Sequence, residues 1–155
     1  MVDLPQENLI TNVYSTERKI TDKGLKNSSA KLLPINSVIV SSRATIGRVG
    51  IAKVELATNQ GFKNIIVKNS EIVDVKYLAY FMTTKKEEML AIASGGTFKE
   101  ISKSSFEKIK IPLPDLSKQK EIAKQFDGQS MAVEANVGLI EVFDNQIKEK
   151  ISEIW

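Results

Sequence analysis

The sequence predicts an α+β protein: one mixed α/β domain over residues 1–115, followed by one long heptad-patterned helix over residues 116–155. Three observations predict it. Short apolar runs of strand type are interleaved with helical patterns in the first part. The segment Ile111-Pro112-Leu113-Pro114-Asp115 favours extended backbone and stops any helix entering from upstream. After it there is no further Pro, and apolar residues recur every seven positions.

The elements follow in chain order. Ser37-Val38-Ile39-Val40-Ser41 reads as a strand, entered from the turn Pro34-Ile35-Asn36. Val49 to Val54 is a second strand and Asn64 to Lys68 a third. Val75 to Met82 is helical, because Val75, Leu78, Ala79 and Met82 share one face. Lys85 to Ala93 forms a second helix, Ser104 and Glu107 fit a capping box opening a short turn, and Lys108 to Leu113 reads as a last strand. In the C-terminal part, Phe126, Val133, Ile140, Ile147 and Ile154 form one row, and Ser130, Val137, Asp144 and Ile151 the interleaved one. A helix over Leu116–Ile154 would be ~58 Å long at ~1.5 Å per residue. An ordinary amphipathic helix packed on its own domain is the competing reading, but a domain ~30 Å across covers only part of that length. The far half therefore needs a partner helix. Ser130 and Asp144 in the seam read as register control.

The charge is uneven. Residues 1–115 hold 17 Lys+Arg and 12 Asp+Glu, a net +5, whereas residues 116–155 hold 5 and 7, a net −2. An anionic partner would meet the first part. The 155 residues include no His and no Cys, which excludes a disulfide framework, a Ser-His-Asp triad, a Cys nucleophile and a zinc ribbon. No catalytic residue and no metal site are expected. No run reaches the ~18–20 apolar residues needed to span a bilayer, and Met1 to Asn8 has no signal-peptide pattern, so a cytoplasmic protein without a membrane partner is expected.

Four polar, Gly-containing segments could meet an anionic partner. The first, Thr16 to Lys26, presents Lys19, Lys23 and Lys26; its plain reading is a solvated loop with a weak helix. The second, Ser41 to Arg48, combines Ser41, Ser42 and Thr45, which can donate to phosphates, with Arg43 and Arg48, which can grip guanine. Read otherwise it is a hairpin loop using Gly47 for a positive φ. The third, Ala57 to Lys63, holds Asn59 and Gln60, residue types that pair with adenine's groove edge, beside Lys63; they are also ordinary turn residues. The fourth, Ser94 to Glu100, offers Gly95, Gly96, Thr97 and Lys99 as a seat for a backbone phosphate. It lacks the Gly-Lys-Ser/Thr ending of a P-loop, so nucleotide hydrolysis has no support. The Asn/Asp-Pro-Pro-Tyr/Phe tetrapeptide of adenine methyltransferases is absent. Glu17-Arg18-Lys19 has the Glu-x-Lys spacing of a nuclease without the preceding Pro-Asp.

Together these segments resemble a known family. Residues 16–34, Val40 to Gly47, Ala57 to Lys63, Tyr77 to Phe81, Gly95 to Ser102 and Ile109 to Pro114 are similar, in order, to the target recognition domain of type I restriction-modification specificity (S) subunits. Gln119-Lys-Glu-Ile-Ala123 resembles the start of that family's spacer helix. No single segment is specific; six in the same order are.

The resemblance implies a non-catalytic reader of double-stranded DNA. S subunits of this kind carry two recognition domains, each reading half of a split site, separated by antiparallel helices. They dock methyltransferase (M) subunits and recruit a restriction (R) subunit. S-adenosylmethionine, ATP and Mg²⁺ would belong to those partners, with no cofactor in this chain. One recognition domain and one helix make about half of such a subunit. The chain is thus expected either to be a half-subunit that dimerises or to be a truncated form that serves only as a helix-mediated interaction module. A dimer would pair antiparallel through Phe126, Val133, Val137, Ile140, Ile147, Ile151 and Ile154. Base-reading residues are also expected in the less typical stretch Asn8 to Tyr14.

Overall fold

The computed structural model describes Leu4, residues 9–96 and residues 99–154. Two compact units divide the chain, Met1–Ala123 and Lys124–Trp155.

In the first unit, β1 (Thr11–Val13), β3 (Val38–Ser41), β4 (Val49–Ala52) and β6 (Phe62–Ile65) form a sheet in the order β1-β4-β3-β6. β1 runs parallel to β4, and the other pairs are antiparallel. β2 (Leu32–Leu33) and β5 (Leu56–Ala57) form a separate antiparallel pair. The helices are α1 (Asp22–Lys26), α2 (Val75–Thr84), α3 (Lys86–Ile92), α4 (Lys103–Phe106) and α5 (Leu116–Ser152).

The central strands β3 and β4 are buried at every residue, and the two clusters of core residues explain why. Val38, Val40, Val49 and Ile51 pack with Leu78, Ala79 and Met82 of α2, Met89 of α3 and Ile101. On the other face, Ile39 and Ala52 pack with Leu4, Val13, Leu33 and Leu56. A sheet covered on both sides reads as continuous apolar runs rather than alternation, as Val-Ile-Val does here. Gly50 permits a close crossing: a Cβ there would lie 2.6 Å from Leu4 Cδ2 and 3.1 Å from the Thr11 carbonyl oxygen.

Four expected elements change. The third strand lies at Phe62–Ile65 rather than Asn64–Lys68, because β3 pairs Ser41 with Phe62 and Val38 with Ile65 and has no residue left for Ile66 to Lys68. The second strand stops at Ala52 rather than Val54. Lys108 to Leu113 joins no sheet; Ile109 and Ile111 pack on the core, and Tyr77 Oη donates to the Pro112 carbonyl oxygen at 2.8 Å. The short helix α4 opens two residues earlier than the Ser104–Glu107 box, with Ser102 Oγ accepting from the Ser105 amide at 3.0 Å. The helices at Val75–Thr84 and Lys86–Ile92 match their expectation within two residues.

Helix α5 spans 37 residues, close to the expected length. Its first turns belong to the first unit, where Gln119 and Ala123 are buried, so packing divides the chain after Ala123 and not after Asp115. In the second unit the helix continues without a break, and Val133, Val137, Ile140, Ile147, Ile151 and Ile154 are exposed. Phe126 is half-buried. Among the described residues no helix is long and apolar enough to cross a membrane.

Candidate nucleic-acid interface

Three of the four polar segments converge on Ser41 and Ser42. Ser41 closes the β3–β4 hairpin. Its amide donates to the Arg48 carbonyl, its carbonyl accepts from Gly47, its hydroxyl donates to the Thr45 carbonyl, and its Oγ accepts from the Arg48 amide at 2.9 Å. Within the loop, Ala44 has φ +62° and Gly47 φ +89°. Gly47 suits that backbone, and a Cβ there would meet Lys86 Cγ at 2.8 Å.

Ser42 ties the hairpin to the other two segments. Its amide donates to the Gly61 carbonyl at 2.8 Å, and its carbonyl accepts from the Ile101 amide at 2.9 Å. Its Oγ accepts from Lys63 Nζ at 3.2 Å. Lys63 Nζ also lies 3.8 Å from Glu100 Oε1. Glu100 in turn exchanges two backbone hydrogen bonds with Ser94.

The Thr58–Gly61 turn is internally braced. Asn59 Oδ1 accepts from the Gly61 amide at 2.9 Å, and Thr58 Oγ1 accepts from Asn64 Nδ2 at 2.7 Å. Residues of this turn line two open clefts. One, of about 740 Å³, is also lined by Tyr14, Thr16, Arg18 and Lys19. The other, of about 920 Å³, is lined by Ser28, Lys31, Lys103 and Phe106. Thr58, Asn59 and Phe62 line both.

The expected DNA-contacting residues therefore separate by burial. Lys19, Lys23, Lys26, Arg43, Asn59, Gln60, Gly95, Gly96 and Lys99 are exposed, with Thr21 capping the helix that carries Lys23 and Lys26. Ser41 and Ser42 are fully buried and their hydroxyls are used inside the fold, so the expected phosphate donation from them is replaced by a role in shaping the loop. Arg48 is half-buried, and its Nη1 donates to the Leu4 carbonyl at 2.7 Å. Thr45 and Lys63 are half-buried. Thr97 and Asn8 lie outside the described residues.

Arg18, Lys31 and Lys103 line the clefts and were not selected from the sequence. Lys31 directly precedes β2, whose pairing with β5 joins it to the strand before Thr58, and a two-residue ladder has no periodicity to detect.

Comparison with known proteins agrees with this architecture. Residues 6–149 match the family model described as the type I restriction modification DNA specificity domain, and the chain belongs to that family. It is 39% identical over 107 residues to the type I restriction enzyme MjaIX specificity subunit of Methanocaldococcus jannaschii, covering 69% of this chain and 25% of that protein. It is 31% identical over 123 residues to the EcoR124I/EcoR124II specificity subunit of Escherichia coli, covering 76% of this chain and 30% of the relative. The chain thus spans about a quarter of the length of the curated relatives it matches. Its fold is similar to the S subunit structure from M. genitalium, with a TM-score of 0.61 at 21% identity over 86% of this chain and 34% of that one. A second structure, from work on assembly and conformational transition of the type I R-M system, gives 0.64 at 22% identity over 77% of this chain and 29% of that one.

Proposed function

We propose that this chain is the DNA-reading part of a type I restriction-modification specificity subunit, and that its domain reads one half of a bipartite double-stranded DNA site. The convergence of three loops on Ser42, with Arg43, Gln60 and Lys99 exposed beside it, carries this reading. Lys19, Lys23 and Lys26 add phosphate contacts and salt-dependent affinity, and Arg43, Asn59 and Gln60 are the candidates for base edges. The net +5 of residues 1–115 supports the choice of this part as the DNA-facing one.

Under the same reading the C-terminal helix pairs antiparallel with a second copy. This gives an isologous dimer that reads an inverted repeat and docks M and R subunits. S-adenosylmethionine, ATP and Mg²⁺ belong to those partners, this chain performs no chemistry, and the complex works in the cytoplasm. The exposed row Val133, Ile140, Ile147 and Ile154 supports a helical partner. It equally favours a second reading, a module that binds only through this helix.

Mobility shift against a random DNA pool at two salt concentrations separates the two readings. Enrichment of one sequence motif supports the reader. Uniform binding that disappears with salt supports the helix-only module.

A further inference from the structure

We propose that Lys63 is a positioning residue, the charged strut of a clamp with Ser42 and Glu100 that fixes the three loops relative to one another. This rests on the DNA-reading function proposed above. A lysine on a basic domain is by default a phosphate contact, yet the Lys63 side chain is only 16% exposed. Its ammonium is directed at Ser42 Oγ (3.2 Å) and Glu100 Oε1 (3.8 Å), each from a different loop. The strut lies beside two backbone hydrogen bonds that join the same segments, Ser42 to Gly61 and Ile101 to Ser42.

The clamp has a consequence for recognition. Three exposed residues are chain neighbours of residues that these bonds hold: Arg43 follows Ser42, Gln60 precedes Gly61, and Lys99 precedes Glu100. These three residues come from segments far apart in sequence, so their spacing is set by the clamp and not by any one turn. Direct readout requires side chains held within about 0.5 Å of their productive positions. Loosening the clamp should therefore blur sequence discrimination more than it weakens phosphate-driven affinity.

Two variants test this, Lys63→Met and Glu100→Gln, with two readouts. The first is binding to the selected DNA and to unrelated DNA across a salt series. A positioning role predicts that both variants lose at least about tenfold in the specific-to-nonspecific ratio, with the slope of log K against log salt unchanged. A phosphate contact predicts instead that Lys63→Met lowers that slope by about 0.9 and that Glu100→Gln leaves the specific-to-nonspecific ratio unchanged. Either of those two results overturns the proposal.

The second readout needs no DNA: amide hydrogen exchange in the free protein. The clamp predicts about tenfold faster exchange at Ser42 and Ile101 in both variants, with the Leu78 amide of α2 unchanged. Unchanged exchange at Ser42 and Ile101 overturns it. Failure of the wild-type chain to select any sequence would instead remove the DNA-reading function, while the exchange result still decides whether the clamp exists. If Lys63→Met does not fold, Glu100→Gln carries both readouts alone.

Discussion

Replacing Gln119 should destabilise the first unit, in a pH-dependent way when the replacement is Glu. Gln119 is fully buried and uses its whole amide. Nε2 donates to the carbonyls of Ile72 (2.9 Å) and Pro114 (2.7 Å), and Oε1 accepts the amide of Asp74 (2.9 Å), the N-cap of α2. Gln119→Ala deletes three hydrogen bonds, each worth about 1 kcal/mol net. Ile72 and Pro114 are exposed residues, so water recovers part of the loss at their carbonyls, and we expect about 2–3 kcal/mol.

Gln119→Glu keeps the shape, but an ionised carboxylate is acceptor-only and faces two carbonyl oxygens. Burial therefore raises the folded-state pKa of the new carboxyl above its unfolded value of about 4.3. The folded state then binds the proton more tightly, so stability relative to wild type is best below pH ~4.3 and falls as pH rises through the folded pKa. Urea unfolding followed by near-ultraviolet circular dichroism reads this from Tyr77 and Tyr80, both buried in the same unit. The reasoning fails if Gln119→Ala unfolds within about 0.5 kcal/mol of wild type, or if the deficit of Gln119→Glu is the same at pH 4 and pH 7.

Further predictions follow from the same geometry. Gly47→Ala forces a left-handed φ on an L-residue and drives a methyl into Lys86, so urea titration should show a loss of about 1–2 kcal/mol or more, whereas Ala44→Gly at φ +62° should cost nothing. In the proposed dimer, Ile140→Asp should raise the dissociation constant by about a thousandfold or more in sedimentation equilibrium, since an isologous contact loses the side chain twice at about 2–5 kcal/mol each; an unchanged constant excludes this seam. The triple substitution of Lys19, Lys23 and Lys26 by Ala should reduce the salt slope of DNA binding by about 2–3, at about 0.9 per phosphate, without changing the selected motif.

What could be read from the sequence depended on how local each determinant is. The helix Val75–Thr84 and the whole of α5 were legible because each carries its apolar face in its own spacing, and Asp74 caps the former in place. The strand at Phe62–Ile65 was placed two residues late because its register comes from β3, and register is a property of the pair. The same cause hides β1, β2 and β5, each two or three residues long and held by partners distant in sequence. At the candidate site, residue types were legible but burial was not. Arg48 and Arg43 are alike in sequence, yet one bonds the Leu4 carbonyl and the other is exposed.

That difference bears on how a shared set of motifs can serve a reader of DNA. Within the shared segments, Ser41, Ser42, Thr58, Asn59 and Gly61 make hydrogen bonds that shape the loops or join one to another. A side chain occupied in this way is costly to change, because its loss leaves partners unsatisfied in a packed place. Arg43, Gln60 and Lys99 are exposed, and among the described residues their side chains make no such hydrogen bond. Substituting them changes what the surface presents without disturbing the loops beneath. Specificity, on this reading, resides in the exposed residues of these segments and in the cleft walls at Tyr14, Arg18, Lys31 and Lys103. The motifs themselves hold those positions in register. It follows that exchanging Gln60 or Arg43 should alter the preferred sequence in a selection experiment at little cost in stability. Exchanging Ser42 should cost stability first and every sequence preference with it.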